Sequence, residues 1–258
     1  MKEMSERMLL PLVYRPGHVF YDIHVRIEDV DTLKRLIDVI RDCGMEIVDV
    51  HLTRLLEKGD AFILIDITKS RLSLNELHEK LRAVSGLGDI EIREVPLKGY
   101  GFHVLLYPPQ IGPFGVAMMI NSFLSTLLNA IKNKWGSAGE VTLYRMGEMV
   151  GEDIYRIIRG TYKAVGREFI NIMNIIFRLM GWIEKLEILE YKDENVVIKV
   201  YDGIECRYIK SENPNSQFFR GVLLGIFKQL LKNDVKVVED KCIARGDEYC
   251  QFKITVRK

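Results

Sequence analysis

No Asp, Glu, Lys or Arg occurs between Gly99 and Ile131, and this charge-free run limits the possible folds more than any other feature. A run of this length is long enough to cross a membrane. Three prolines interrupt it: Pro108, Pro109 and Pro113. Three polar residues then recur every four positions: Asn121, Ser125 and Asn129. Because a lipid-facing helix would not carry such a polar stripe, the pattern predicts a buried strand followed by an amphipathic core helix, with no membrane span.

Length and charge balance set broad limits on what the chain does. Its 258 residues exceed one average domain of about 100–150 residues, so we expect one domain at residues 1–97 and a second at residues 98–258. The 37 Lys and Arg against 36 Asp and Glu give a net charge of +1, and we expect no direct nucleic-acid binding. Four cysteines without a visible secretory leader predict a cytoplasmic protein whose thiols stay free or bind metal.

The N-terminal half alternates strand and helix patterns in the order β-α-β-β-α-β. Four runs predict strands: residues 19–27, 46–52, 61–67 and 90–95. Helical patterns follow Asp31 and Ser73, which we interpret as their N-caps. This is the order of split β-α-β ferredoxin-like folds, in which two helices cover one face of a four-stranded antiparallel sheet.

Over residues 17–96 this pattern resembles an ACT-type regulatory domain. Such domains commonly bind amino acids at a glycine-containing first loop, or pair edge to edge. The corresponding loop here, Ile27–Leu33, has no glycine that would let backbone amides approach a ligand. The resemblance therefore implies dimerisation or packing more than amino-acid binding.

The C-terminal half predicts helices followed by an antiparallel sheet, which is an α+β arrangement. A strand at residues 102–107 precedes helical patterns at residues 116–134 and 141–159, and a third helical pattern ends at Gly181. Residues 186–191 and 196–201 predict a hairpin, and Asn213 with Pro214 predicts a helix start. The last two strands are predicted at residues 235–242 and 250–256.

Three segments of this half resemble the 4-vinyl reductase domain family: Tyr144–Gly151, Phe219–Gly225 and Val238–Phe252. The resemblance covers about residues 100–258. It implies a small-molecule sensing fold with an apolar cavity between helices and sheet, in a homodimer. The implied ligand is a small apolar compound, such as a hydrocarbon, a lipid or an aromatic molecule.

Apolar residues on two predicted helices, with one tryptophan, are the candidate ligand-binding residues: Phe169, Met173, Phe177, Trp182, Phe219 and Leu223. Apolar residues at helical spacing also form ordinary cores, so packing is the alternative. No glycine-rich dinucleotide fingerprint follows a strand and no catalytic groups converge, which favours a non-enzymatic sensor. The family name leaves a second hypothesis open, an enzyme or accessory factor of tetrapyrrole vinyl-group metabolism.

The resemblance also implies a metal site, because aromatic-sensing relatives hold zinc with three cysteines and a glutamate. Glu239, Cys242 and Cys250 stand at matching positions, whereas the remaining cysteine position is Ser216. A hydroxyl is a poorer zinc ligand than a thiolate, so Cys206 is the candidate that could complete the set.

Hairpin geometry supports only part of this ligand set. A turn centred on Gly246 places Cys242 opposite Cys250, within reach of a shared ion. Glu239 lies three residues before Cys242, and in a regular strand its side chain points to the other face unless a β-bulge intervenes. The alternative is a packed or disulfide-linked cysteine pair that binds no metal.

Overall fold

The computed structural model describes residues 12–53, 58–106, 110–111, 114–115, 117, 119–192 and 194–257. The chain divides into two compact units, Met1–Ala117 and Met118–Lys258. The domain assignment with a boundary between residues 97 and 98 remains a prediction. None of the described helices is both long enough and apolar enough to cross a membrane. The three prolines of the charge-free run lie outside the described residues.

The first unit is built around a four-stranded antiparallel sheet. Its described elements are β1 (Val13–Tyr14), β2 (Phe20–Ile27), α1 (Val30–Asp42), β3 (Glu46–Thr53), β4 (Gly59–Asp66), α2 (Leu74–Arg82), β5 (Leu87–Glu94), β6 (Tyr100–Gly101), β7 (Gln110–Ile111) and β8 (Phe114–Gly115). The strand order β3-β4-β2-β5 confirms the predicted β-α-β-β-α-β arrangement. The resemblance to ACT domains stays a prediction.

Local capping explains where the two helices of this unit begin. Ser73 caps α2 as predicted, in a capping box with Glu76. The cap of α1 is Asp29 and not the predicted Asp31, because the Asp29 carboxylate accepts the backbone N–H of Thr32 at 2.7 Å. Leucine and isoleucine side chains on both helices are buried against one face of the sheet.

A buried histidine holds the segment after β6 against β2 and β3. The ring of His103, only 1% exposed, hydrogen-bonds Asp22 through Nδ1 at 2.8 Å and Asp49 through Nε2 at 2.9 Å. The backbone N–H groups of Val104 and Leu105 donate to the same Asp22 carboxylate. Burial lowers the pKa of His103, but the hydrogen bonds to the two carboxylates outweigh it and raise the pKa above the usual 6.5.

The second unit is an α+β layer of three helices and a second antiparallel sheet. Its described elements are α3 (Asn121–Tyr162), α4 (Gly166–Leu179), β9 (Lys185–Lys192), β10 (Asn195–Tyr201), α5 (Gln217–Leu231), β11 (Val235–Lys241), a 3₁₀ turn (Ile243–Arg245) and β12 (Cys250–Val256). The strand order is β11-β12-β10-β9. The predicted α+β class and both predicted hairpins are confirmed.

Three predicted element boundaries in the C-terminal half are wrong. Residues 102–106 form no strand, and Tyr107 lies outside the described residues. The two helices predicted at residues 116–134 and 141–159 are one element, α3, bent at Gly136, whose φ of 52° suits only glycine. The last helix starts at Gln217 and not at Pro214, because Glu205 and not Asn213 accepts its first free N–H groups.

Helices α3 and α5 meet along glycines spaced four residues apart on each. A Cβ atom added to Gly147 or Gly151 would overlap backbone atoms of α5, and one added to Gly221 or Gly225 would overlap backbone atoms of α3. The two helices run parallel here, since Gly147 faces Gly221 and Gly151 faces the next turn. The glycine spacing noted in Tyr144–Gly151 therefore serves a backbone-to-backbone contact.

The first half of α3 buries its polar stripe and exposes its apolar residues. Ser125 and Lys132 are buried, and Asn129 accepts a hydrogen bond from Asn215 at 3.4 Å. Phe123 and Leu127 are 63% and 52% exposed. The predicted core helix is therefore wrong in its orientation, because the polar stripe contacts buried polar groups of its own unit.

We predict that the stability of the first unit depends on the charge of His103. Because the folded pKa of His103 is raised, its stabilisation is fully present below about pH 6.5 and is lost as the pH rises through the folded value. The difference in free energy of unfolding between wild type and His103→Gln should shrink from about pH 6 to about pH 9 in denaturant titrations. His78→Gln, which removes a partly exposed histidine of α2, is the matched control. A pH-independent difference would contradict the prediction.

Candidate functional site

Three cysteines and a glutamate converge in the second unit. The Sγ atoms of Cys206, Cys242 and Cys250 and a carboxylate oxygen of Glu239 all lie within 4.8 Å of one another. All four residues are buried. Cys206 lies in the loop after β10, Glu239 in β11, Cys242 directly after β11, and Cys250 at the start of β12. The structure therefore brings together all four residues that the sequence indicated as metal ligands.

A β-bulge accounts for the position of Glu239. Glu239 pairs with Phe252, but Lys241 pairs with Gln251, so one extra residue enters β11 between the two pairs. This residue, Asp240, reverses the alternation, and both Glu239 and Cys242 are buried. The bulge is the irregularity that the sequence required but could not indicate.

Hydrogen bonds connect the cluster to the first residue before α5. The Cys206 and Cys242 sulfurs lie 3.5 Å apart, and the Sγ of Cys206 lies 3.1 Å from the Oγ of Ser216. The Ser216 hydroxyl donates to Glu239 at 2.7 Å, and the Ser216 backbone N–H donates to the other carboxylate oxygen at 3.0 Å. The Ile243 N–H donates to the Cys250 sulfur at 3.5 Å. The four side chains are thus fixed by the surrounding backbone.

Burial and mutual contacts shift the titration of these groups. Burial raises the pKa of Glu239 to about 8, and the neighbouring Cys242 adds to the shift. Hydrogen bonds from Cys206 and Cys250 lower the pKa of Cys242, and the same contacts raise the pKa values of Cys206 and Cys250. Within the described part of the chain, Glu239 forms no ion pair with Lys, Arg or His. A cation that bound here would therefore be the first positive charge next to it.

The donor set fits a thiophilic metal ion. Tetrahedral zinc takes thiolates at about 2.3 Å, which places its sulfur ligands about 3.8 Å apart, close to the 3.5 Å between Cys206 and Cys242. Three sulfurs and one carboxylate oxygen favour zinc or another soft divalent ion over magnesium or calcium, which prefer oxygen ligands. The buried Cys/Glu group can therefore hold a metal.

Sequence reasoning missed a second buried carboxylate beside this cluster. Glu205 pairs with Lys132 of α3 at 2.7 Å, and both side chains are buried. The Glu205 carboxylate also accepts the N–H groups of Phe218 and Phe219 in the first turn of α5, at 3.0 and 2.9 Å. Lys132 donates as well to the carbonyl of Asn215. The available signal was the position of Lys132, three residues after Asn129 on the polar stripe.

The six predicted ligand-binding residues lie in one core. Phe169, Met173 and Phe177 of α4 and Phe219 and Leu223 of α5 are buried there, and the partly buried Trp182 packs against them. Phe177 contacts Trp182 and Phe219 with ring centroids 5.5 and 5.6 Å apart. Among the described residues the interior beside Phe219, Glu205 and Cys250 leaves a cavity of about 10 Å³, the space of a single water molecule. The predicted residues do assemble, but they fill the space between them.

The sequence of the sheet and α5 decides the family. Residues 196–256 match the 4-vinyl reductase domain. The chain carries a 4-vinyl reductase domain. The predicted resemblance is thereby confirmed for this part, which contains the whole Cys/Glu group. For residues 100–195 the predicted extent of the family remains a prediction.

Relatives from Methanocaldococcus jannaschii share parts of the chain. The uncharacterized protein MJ0745 of this organism is 40% identical over 63 residues, which are 24% of this chain and 35% of that protein. The uncharacterized protein MJ0150 of the same organism is 26% identical over 124 residues, 47% of this chain and 67% of that protein. The first of these relatives is therefore matched over about a third of its length.

Similarities to solved structures are weaker. The phenol-responsive sensory domain of the transcription activator PoxR matches with a TM-score of 0.49 and 13% identity, covering 57% of this chain and 79% of that domain. A vinyl-4-reductase family protein from Methanocaldococcus jannaschii matches with a TM-score of 0.40 and 20% identity, covering 55% of this chain and 85% of that protein.

Proposed function

We propose that the protein is a non-enzymatic sensor whose 4-vinyl reductase domain binds a small apolar ligand, such as a hydrocarbon, a lipid or an aromatic compound. The observation that carries the proposal is the aromatic core of this domain, which joins α4, α5 and the sheet. The family match supports it at the level of the domain. The candidate ligand-binding residues are Phe169, Met173, Phe177, Trp182, Phe219 and Leu223.

Ligand entry in this proposal requires side chains to move. A cavity of about 10 Å³ holds no organic molecule, so a ligand replaces contacts such as that between Phe177 and Phe219. Met173, which lies in the same core, can change its shape at low energy cost. Binding then selects a different packing of α4 and α5 on the sheet, and this change is the signal.

Zinc is the metal we propose for the Cys/Glu group, with Cys206, Glu239, Cys242 and Cys250 as ligands. Its role is structural, because four protein ligands leave no open position for catalysis. The bound ion would join the loop after β10 to the hairpin of β11 and β12. A fixed sheet gives the helices a constant surface on which to repack.

A homodimer is part of the proposal, and the exposed face of α3 supports it. Phe123, Leu127 and Ala130 are exposed at spacings of four and three residues, and they form an apolar stripe with no charged side chain. A second copy can cover such a stripe by presenting the same surface in a two-fold interface. The stripe lies opposite Ser125 and Lys132, which bind the interior of the same unit.

The first unit receives the second role in the proposal. As an ACT-like domain, it would relay the ligand signal or add to the dimer interface, and not bind an amino acid. A cytoplasmic location agrees with Cys43, Cys206, Cys242 and Cys250, all of which are free thiols in the structure. The alternative role in tetrapyrrole metabolism would require turnover of a vinyl-bearing substrate.

The metal proposal predicts which cysteines matter. Elemental analysis by mass spectrometry should find about one zinc per chain in the wild type and strongly reduced zinc in Cys206→Ser and Cys242→Ser, because each loses a thiolate ligand. Cys43→Ser, in the other unit, should keep its zinc and is the control. Unchanged zinc in Cys206→Ser would remove Cys206 from the ligand set.

The ligand proposal predicts a signal from Trp182. In a Trp135→Phe background Trp182 is the remaining tryptophan, and its fluorescence should change saturably on titration with alkylphenols or fatty acids, because it contacts Phe177. Phe219→Leu should bind a single-ring aromatic compound more tightly, since the shorter side chain enlarges the cavity that Phe219 lines. Leu189→Ala, at an exposed position, is the control. No saturable change with any compound, together with no organic molecule extracted from the purified protein, would overturn the proposal.

The dimer proposal predicts that charge on the exposed stripe of α3 separates the copies. Sedimentation velocity should show a dimer for the wild type and a monomer for Phe123→Asp and Leu127→Asp, because a buried unpaired carboxylate costs several kcal/mol. Asn133→Asp, exposed on the same helix outside the stripe, should remain dimeric. A wild-type monomer at all concentrations would refute this part.

A further inference from the structure

Ser216 stands at the N-cap of α5 but does not cap the helix with its side chain. Serine is a favoured N-cap because its hydroxyl oxygen accepts a free N–H of the first turn. Here the Ser216 side chain makes no such hydrogen bond. Its hydroxyl donates to Glu239 Oε1 at 2.7 Å, and only 3% of the residue is exposed.

Glu205 takes over the capping that Ser216 leaves. Its two carboxylate oxygens accept the N–H groups of Phe218 and Phe219. A negative charge at a helix N-terminus is stabilised by the helix dipole, and Lys132 balances it. Ser216 is thereby free to contact the neighbouring cluster, where it touches both Glu239 and Cys206.

The contacts of Ser216 cover both oxygens of one candidate ligand. The hydroxyl donates to Oε1 of Glu239 and the backbone N–H donates to Oε2, which fixes the rotation of the carboxylate. Each carboxylate oxygen has a second lone pair that remains for a metal. The Cys206 sulfur, 3.1 Å from the same hydroxyl, is held on the side next to Cys242.

We propose that Ser216 is the positioning residue of the metal centre, holding the Glu239 carboxylate and the Cys206 sulfur in place while Cys206 supplies the third thiolate. The inference rests on the proposed zinc site. It assigns Ser216 to the outer shell and not to the ligand set. Outer-shell partners of metal ligands commonly contribute 10–100-fold to metal affinity.

The same contacts couple the metal to the start of α5. Ser216 is the residue from which α5 begins, and α5 packs on α3 through Gly221 and Gly225. Loss of the ion would loosen Glu239 and Cys206, and with them the segment that enters the helix. Metal occupancy and the packing of the two helices are therefore linked through one hydroxyl and one backbone N–H.

The test measures metal affinity by chelator competition in the full-length protein, with Co²⁺ and Zn²⁺ as probes. Ser216→Ala should bind both ions about 10–100-fold more weakly than wild type. Ser216→Thr keeps the hydroxyl and should restore most of the affinity. Ser137→Ala, at an exposed position of α3, should equal wild type. Far-UV circular dichroism of each metal-free variant checks that the fold is intact.

Two further readouts separate positioning from a general loss of stability. The thiolate-to-cobalt charge-transfer absorption of Ser216→Ala at saturation should match wild type, because three thiolates remain. In a Glu239→Ala background the Ser216→Ala effect should fall markedly, since Ser216 acts partly through that carboxylate. Equal affinity of Ser216→Ala and wild type, or an undiminished effect without Glu239, would overturn the role of Ser216. A wild type that binds no metal would instead defeat the zinc proposal itself.

Discussion

Two buried carboxylates hold the first turn of α5, and the rest of the 4-vinyl reductase domain depends on this anchoring. Glu205 accepts the N–H groups of Phe218 and Phe219, and Glu239 accepts the N–H of Ser216. A helix end without such acceptors would leave buried donors unsatisfied, at about 1–3 kcal/mol for each group. The anchored helix then places Gly221 and Gly225 against the backbone of α3, where no larger residue fits.

The two carboxylates differ in how their charge is balanced. Lys132 neutralises Glu205 within the protein, whereas burial raises the pKa of Glu239 because no side-chain cation among the described residues faces it. A carboxylate of this kind, beside three thiols, binds a proton or a metal ion. Both solutions keep the buried charge low, but only the ion joins Cys206 to the hairpin. The uncompensated side of the helix start is thus the side on which a metal would act.

The sequence predicted most of the elements and the composition of the site, but not the contacts between distant segments. Hydrophobic periodicity located both sheets, and the spacing of Glu239, Cys242 and Cys250 indicated the cluster. The bulge at Asp240 and the reach of Cys206 depend on tertiary structure, so spacing alone left them open. The orientation of α3 was predicted wrongly for the same reason, because Ser125, Asn129 and Lys132 lie toward groups about 80 residues away.

A filled interior suits a sensor better than a preformed hole would. A ligand that enters an existing cavity leaves the helices where they were, and it changes no equilibrium between two states. Opening about 150 Å³ for a single ring costs about 4 kcal/mol, at roughly 24 cal/mol per Å³. Burying about 200 Å² of ligand surface contributes about 5 kcal/mol in return, so the two terms nearly cancel. Occupancy and the repacking of Phe177 against Phe219 would then be a single event, and the energy that opens the core would come from the ligand alone.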